Sequence, residues 1–234
     1  MNLKNITRII LGIATVILAY LLFESIMKPQ RYETLRKQRE EIVIERLKDI
    51  RTAQIAFRNA HGRFVGTMDS LIMFLEHGKL PTVRRTGQIP EEMTEAEALR
   101  AGLIRRDTIF SSAYDLLFPP DTARERRMQL TTPEEIAEFR RTNRATHLAN
   151  LKFIPFTNRT VEFMMETGFI SRGSEDARIE VPVIEVSAPW KAYMFEPEWA
   201  QLVVNATQRA KDINRFPGRR FGSMTEPITE GNWE

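Results

Sequence analysis

The chain of 234 residues contains no cysteine. That absence excludes disulfides, a thiol nucleophile, thiolate metal sites and lipid attachment through a cysteine. Charge of one sign is lacking too. Lys and Arg number 34 against 31 Asp and Glu, a net charge of +3, which describes a mixed surface and not a nucleic-acid footprint. There is no G-x-S-x-G elbow, no P-loop, no G-x-G-x-x-G and no H-E-x-x-H. The neighbouring acids Glu40-Glu41, Glu91-Glu92 and Glu134-Glu135 fall on charged helices or at helix starts. General acid–base work needs carboxylates that converge in a cleft, so these pairs read as solvated faces. Internal repeats and low-complexity tracts are missing as well. No cofactor, metal or small-molecule substrate is expected, and no catalytic residue is assigned.

What is present starts at the N-terminus. Ile9 to Phe23 is a run of fifteen residues without a charge. With Glu24 accepted near its end it extends to Met27, close to the roughly 20 residues that a bilayer-spanning helix requires. A basic tail (1–8), a transmembrane helix (Ile9–Met27) and a charged stalk (28–41) follow in order. A cleaved signal peptide is the competing reading, but the residues after Ala19 offer no small-residue cleavage pattern. Glu24 is either an interfacial residue or a subunit contact inside the membrane. Lys28, Arg31, Arg36, Lys37 and Arg39 outnumber Lys4 and Arg8, which by the positive-inside rule places the body in the cytoplasm. A basic start followed by an apolar core is also the signal-anchor layout, and a body outside the cytoplasm, at a bacterial inner membrane, is the reading adopted.

The body, 42–215, reads as one α+β domain: an amphipathic helix packed on an antiparallel sheet, with a C-terminal helix. Pro29 is expected to break or kink the chain. A second helix then runs over 31–60. Val43, Leu47, Ile50, Gln54 and Phe57 recur on it at four- and three-residue steps, an apolar stripe for the chain's own sheet or for another subunit. Gly62 ends this helix, Thr67 caps the next over 68–77, and Gly78 stops it. His61 and His77 occupy matching positions before these glycines. They read as cations near helix ends and not as a paired metal site. His147 has no partner of suitable spacing.

Residues 81–92 read as a polar connection, and Thr94 with Glu97 as a capping box. A strand is expected over 103–110 and an exposed helix after Thr132-Pro133. Strands are expected over 151–156, 161–165, 169–170, 179–186 and 192–195, with Pro182 on an edge. Trp199, Leu202, Val203, Ala206, Ala210 and Ile213 mark one face of a last helix over 198–213. Residues 216–234 lack periodicity and read as an irregular tail. Around its start, Arg215, Phe216, Arg219, Arg220 and Phe221 interleave basic and aromatic side chains. Such a segment grips an acidic partner or a phosphate, or simply staples its aromatics onto the domain.

The run Ile50 to Phe64, with Ala53-Gln54 before Phe57 and the exit His61-Gly62-Arg63-Phe64, resembles type IV pilins and type II secretion pseudopilins. The resemblance covers roughly residues 5–80. In those families a membrane helix continues into an amphipathic half that packs on an antiparallel sheet. It implies a non-enzymatic, membrane-anchored subunit of a multiprotein envelope assembly, with other membrane or periplasmic subunits as partners. The chain departs from the family at the prepilin peptidase site, since Gly12 is followed by Ile13 and the nearest acid is Glu24. Arg105-Arg106-Asp107-Thr108-Ile109 is similar to uncharacterised single-pass membrane proteins of Bacteroidota. The readings held beside this one are a membrane-tethered envelope enzyme and an adaptor with a cytoplasmic body. On the reading adopted, Glu24, the stripe residues Val43, Leu47, Ile50 and Phe57, and the basic segment at 215–221 are the candidates for partner contact.

Overall fold

The computed structural model describes residues 3–88, 93–128, 130, 132–173 and 178–234, and the side chains from Ile10 onward. The acidic pair Glu91-Glu92 lies outside the described residues, and of the basic tail only the backbone from Leu3 is described. The protein is α+β, with a long N-terminal apolar helix, two antiparallel sheets and a C-terminal helix.

Helix α1 runs without interruption over Leu3–His61, about 88 Å at 1.5 Å per residue. Pro29 sits inside it and does not break it. A proline removes one i→i−4 hydrogen bond. That loss does not end a helix whose flanks are good helix formers such as Leu21, Leu22, Leu35 and Arg36. Gly62 closes α1 at φ +74°, and its N–H donates to the Arg58 carbonyl at 2.7 Å. Helix α2 (Met68–His77) begins at the expected cap, Thr67, whose hydroxyl accepts from the Ser70 N–H. Gly78 is required for another reason than a left-handed turn. A Cβ there would meet the Phe74 carbonyl oxygen at 2.3 Å.

The connection expected over 81–92 carries a strand instead. β1 (Lys79–Gly87) pairs antiparallel with β2 (Ile104–Ser112), from Lys79 opposite Ser112 to Gly87 opposite Ile104. Its Arg, Thr and Pro residues give no period-2 apolar signal, because this two-stranded ribbon is largely exposed on both faces. Between the strands lies α3 (Glu95–Arg100), with the Thr94–Glu97 capping box formed. Helices α4 (Ala113–Leu117), α5 (Thr122–Arg127) and α6 (Pro133–Leu151) follow, the last with Thr132 and Glu135 in a second capping box. Helix α6 is exposed over much of its length, but Leu148 and Leu151 anchor its C-terminal turn in the core.

The second sheet has the order β3–β4–β5, all antiparallel: β3 (Met164–Arg172), β4 (Ile179–Pro189) and β5 (Gly218–Ser223). Of the strands expected at 151–156 and 161–165, Phe153 and Glu162 form a single bridge, and Met164 and Met165 open β3. Pro182 lies on the central strand, yet β5 pairs only with Ile184–Pro189. At Pro182, β4 therefore has one neighbour, β3, so a missing N–H is tolerated. Two expectations fail here. Residues 192–195 do not form a strand, because 190–193 coil into α7 (Trp190–Tyr193). The tail is not irregular either, because it supplies β5, whose Phe221 is buried opposite Val186. Before β5, a 3₁₀ turn (Pro197–Trp199) leads into α8 (Ala200–Asp212).

The core forms where the C-terminal half of α1 meets β4, β5, α2 and α6. Val43, Leu47, Ile50 and Ala53 are completely buried, together with Leu71, Leu75, Leu151 and Ile184. Burial of one such Val, Leu or Ile side chain contributes roughly 1.5–3 kcal/mol. The stripe thus packs on the chain's own sheet and helices. The expected stalk is not a stalk. Tyr32 is only 2% exposed, its ring 6.1 Å from that of Trp199, and the polar residues that follow it meet partners far along the chain.

Candidate functional site

Two places in the body gather chemistry. The first is where the charged turns of α1 meet the C-terminal segment. Glu40, 4% exposed, accepts from Trp190 Nε1 at 2.6 Å and from an Arg219 guanidinium nitrogen, while Arg36 Nε stands 3.6 Å away. A buried carboxylate needs this kind of enclosure, since an unpaired charge there would cost several kcal/mol. The Arg36 guanidinium also lies over the Trp190 ring at 5.0 Å and the Tyr32 ring at 5.6 Å. One turn on, Arg39 donates to Glu196 (Nη1 to Oε2, 3.0 Å) and to the Tyr193 carbonyl. The hydrogen bond from Arg39 holds the Glu196 carboxyl below the usual range. Burial, together with the nearby Glu40 charge, pushes the Tyr193 hydroxyl far above its ordinary value, so it stays protonated.

Beside this cluster opens a cleft of about 750 Å³. Arg36 and Glu33 of α1 form one wall, Arg209 and Ile213 the second, and Arg215, Phe216, Arg219 and Arg220 the third. Four of the basic and aromatic residues read from the sequence are therefore brought together. Arg220 lies over the Phe216 ring at 5.5 Å and pairs across the sheet with Glu185 at 3.1 Å. Asn232 folds back to hold β5, donating from Nδ2 to the Gly218 carbonyl at 3.0 Å. Phe221 is not part of the cleft, since its side chain points into the core.

The remaining sequence candidates are placed elsewhere. Val43, Leu47 and Ile50 are core residues, and Phe57 packs at the core's edge with its ring 5.1 Å from that of Phe74. Glu24 lies out on the apolar half of α1, its carboxylate 3.9 Å from the Arg31 guanidinium. His61 stacks on Phe57 at 4.1 Å, and His77 is exposed beside Glu76. Among the described residues no three His, Cys, Asp or Glu side chains gather as a metal site.

The second place was not legible in the sequence. His147 of α6 has two partners there: Asp49 Oδ2 at 3.1 Å from Nε2, and the Tyr114 hydroxyl at 3.1 Å from Nδ1. With neutral imidazole, Nε2–H donates to the carboxylate, and the Tyr114 O–H donates to Nδ1. The three residues come from α1, α4 and α6, separated by 65 and 33 positions, so no spacing rule connects them. Tyr114 and His147 line a cavity of about 610 Å³ with Phe118, Phe139, Arg124 and Arg144. Burial raises the Tyr114 hydroxyl, and Arg144, 4.9 Å over its ring, opposes that in part. Arg144 in turn donates to the Leu75 and Glu76 carbonyls at the C-terminal end of α2 (3.2 and 2.8 Å). Chemically, the Asp49–His147–Tyr114 chain can hold or relay one proton. Structurally, it joins three helices.

No protein-family model matches the chain, and neither curated proteins nor solved structures give a match.

Proposed function

We propose that this chain is a membrane-anchored, non-enzymatic subunit of a bacterial envelope assembly, acting through protein–protein contacts. One observation carries the reading. The apolar segment of α1 is continuous with the helix that organises the core, and none of its most apolar stretch is buried against the body. Val16 is 69% exposed and Leu22 65%. A row of such residues in water is an interaction surface, and its length suits a bilayer. In this reading Ile9–Met27 spans an inner membrane, Glu24 reaches Arg31 at the interface, and the amphipathic half of α1 enters the body. The order of elements, a long helix whose second half packs on an antiparallel sheet, supports the likeness to pilins and pseudopilins. The body lies outside the cytoplasm, where other membrane or periplasmic subunits meet it at surfaces such as the exposed β1–β2 ribbon.

Crosslinking and mild-detergent co-purification of the full-length protein, read by mass spectrometry, tests this. A defined set of envelope proteins is the expected outcome. A lone monomer or homo-oligomer overturns the assembly reading. Reporter fusions at residue 234 decide the side of the membrane and separate this reading from an adaptor with a cytoplasmic body.

A membrane-tethered enzyme is the second reading. The hydrogen-bonded Asp49–His147–Tyr114 chain at the wall of a cavity favours it.

A further inference from the structure

We infer that the arginine-lined cleft between α1 and the C-terminal segment takes the phosphate of an anionic lipid headgroup from the leaflet on the body's side of the membrane. The inference rests on the reading of residues 9–27 as a membrane span, and it assigns a ligand class to the cleft beside them.

The charge balance of the cleft comes first. Its carboxylates are already engaged: Glu33 by Arg36, and Glu234 by Arg51 at 2.6 Å. Arg219 is taken by Glu40 and Arg220 by Glu185. Arg209 and Arg215 are left exposed on the walls, with no carboxylate partner among the described residues. Two uncompensated guanidiniums facing one cleft favour an anion, and guanidinium is the side chain best matched to phosphate geometry.

Position selects the source of that phosphate. Because α1 is unbroken, distance along it can be read from residue number. Glu33 and Arg36 of the cleft wall stand about 9 and 13.5 Å past Met27 at 1.5 Å per residue. The headgroup layer occupies roughly 5–7 Å on each side of the hydrocarbon. Tyr32 is already buried by the body only five residues after Met27, so nothing spaces the body away from the bilayer surface. Glu33 and Arg36 thus stand about 2–8 Å beyond the headgroup layer, with Lys28 and Arg31 stepping between. The cleft's lining also includes Ile213, which is 61% exposed, and Phe216. A cleft that offers free guanidiniums beside apolar side chains suits a headgroup that stays attached to its acyl chains. Inorganic phosphate would use only the guanidiniums.

The experiment is native mass spectrometry of the full-length protein in detergent, titrated with phosphatidylglycerol, phosphatidylcholine or inorganic phosphate. It is run on wild type and on the double variant Arg209→Ser/Arg215→Ser. Both side chains are exposed and without a partner among the described residues, so the variant is expected to fold, and its circular dichroism and melting curve are recorded beside the wild type. Phosphatidylglycerol is expected to bind in preference to phosphatidylcholine, and the double variant to bind it about 25-fold more weakly, roughly fivefold per arginine. Equal binding of the two lipids, or binding unchanged in the variant, overturns the inference while leaving the anchor in place. Phosphate that competes at the lipid's own affinity overturns the lipid source. A photocrosslinker at position 215, in membranes, is expected to capture lipid, and exclusive capture of an acidic protein segment overturns it as well. Failure of the wild type to fractionate with membranes overturns the anchor reading itself, and the two failures are thereby distinguishable.

Discussion

Gln54 holds Val65 by both of its backbone groups. The Val65 N–H donates to Gln54 Oε1 at 2.9 Å, and Gln54 Nε2 donates to the Val65 carbonyl at 3.1 Å. Both residues are buried, so the side chain acts as a piece of strand for a segment that has none. It fastens the turn after α1 back onto the helix and lets Phe64 and Val65 enter the core. Gln54→Ala leaves two buried backbone groups without partners and opens a cavity. A loss of about 3 kcal/mol in urea unfolding is expected. A loss under about 0.5 kcal/mol would mean that the turn is held by its apolar contacts alone.

Gly222 is a second fixed point. Its φ of +78° is unfavourable for other residues, and an added Cβ would meet the Ile184 carbonyl oxygen at 2.0 Å. Gly222→Ala is expected to destabilise the protein by about 3 kcal/mol through strain and overpacking, and to release β5 from β4. Faster hydrogen exchange at the Phe221 and Ser223 amides would show the release, and exchange unchanged from wild type would argue against it.

The Arg39–Glu196 pair makes stability depend on pH with a definite sign. Its carboxyl is held below the usual range, so its contribution is complete above the unfolded carboxylate pKa. The contribution fades as pH falls through the folded value. Glu196→Gln is therefore expected to cost stability at neutral pH, with the difference from wild type shrinking as the pH is lowered into the acid range. Parallel curves across that range would count against the assignment.

The Asp49–His147–Tyr114 chain separates the two functional readings. If it is structural, His147→Ala costs roughly 1–3 kcal/mol by releasing α6 from α1 and α4, and crosslinked partners stay the same. If the tethered-enzyme reading holds, Tyr114→Phe abolishes turnover of an envelope substrate while the melting temperature barely moves. Denaturation of both variants, with a screen of cell-wall hydrolysis, decides between them.

The apolar half of α1 contributes nothing to the fold of the body, since its most apolar stretch is unburied. A chain of residues 31–234 is expected to unfold at the same urea concentration as the full protein in the same detergent, and to leave the membrane fraction. A large drop in midpoint would show that the segment packs on the body after all.

Several features were already decided by local chemistry in the sequence. The capping box at Thr94–Glu97, the helix start at Thr132-Pro133, the stop at Gly62 and the cap at Thr67 involve groups within four residues of one another, so the sequence alone settles them. The same holds for the stripe Val43, Leu47, Ile50 and Phe57, whose spacing is a helix property. What escaped the sequence depends on long-range pairing. β5 has no periodicity because Gly218, Arg219, Arg220 and Gly222 serve a close strand approach, a buried carboxylate and a cross-strand ion pair. The turns of α1 from Arg36 to Glu41 look solvated because their partners, Trp190, Glu196 and Arg219, lie 150 or more residues away. Pro29 looked like a break because its local cost is visible, whereas the helix that flanks it on both sides outweighs one lost hydrogen bond. The sequence by itself determined where the locally capped helices begin and which stretch is apolar enough to leave water. Only the tertiary structure decided that the body sits against the end of that stretch, and that Arg36, Arg39, Arg219, Arg220 and one imidazole found their neighbours. Charges placed far apart in sequence carry no record of whom they will meet.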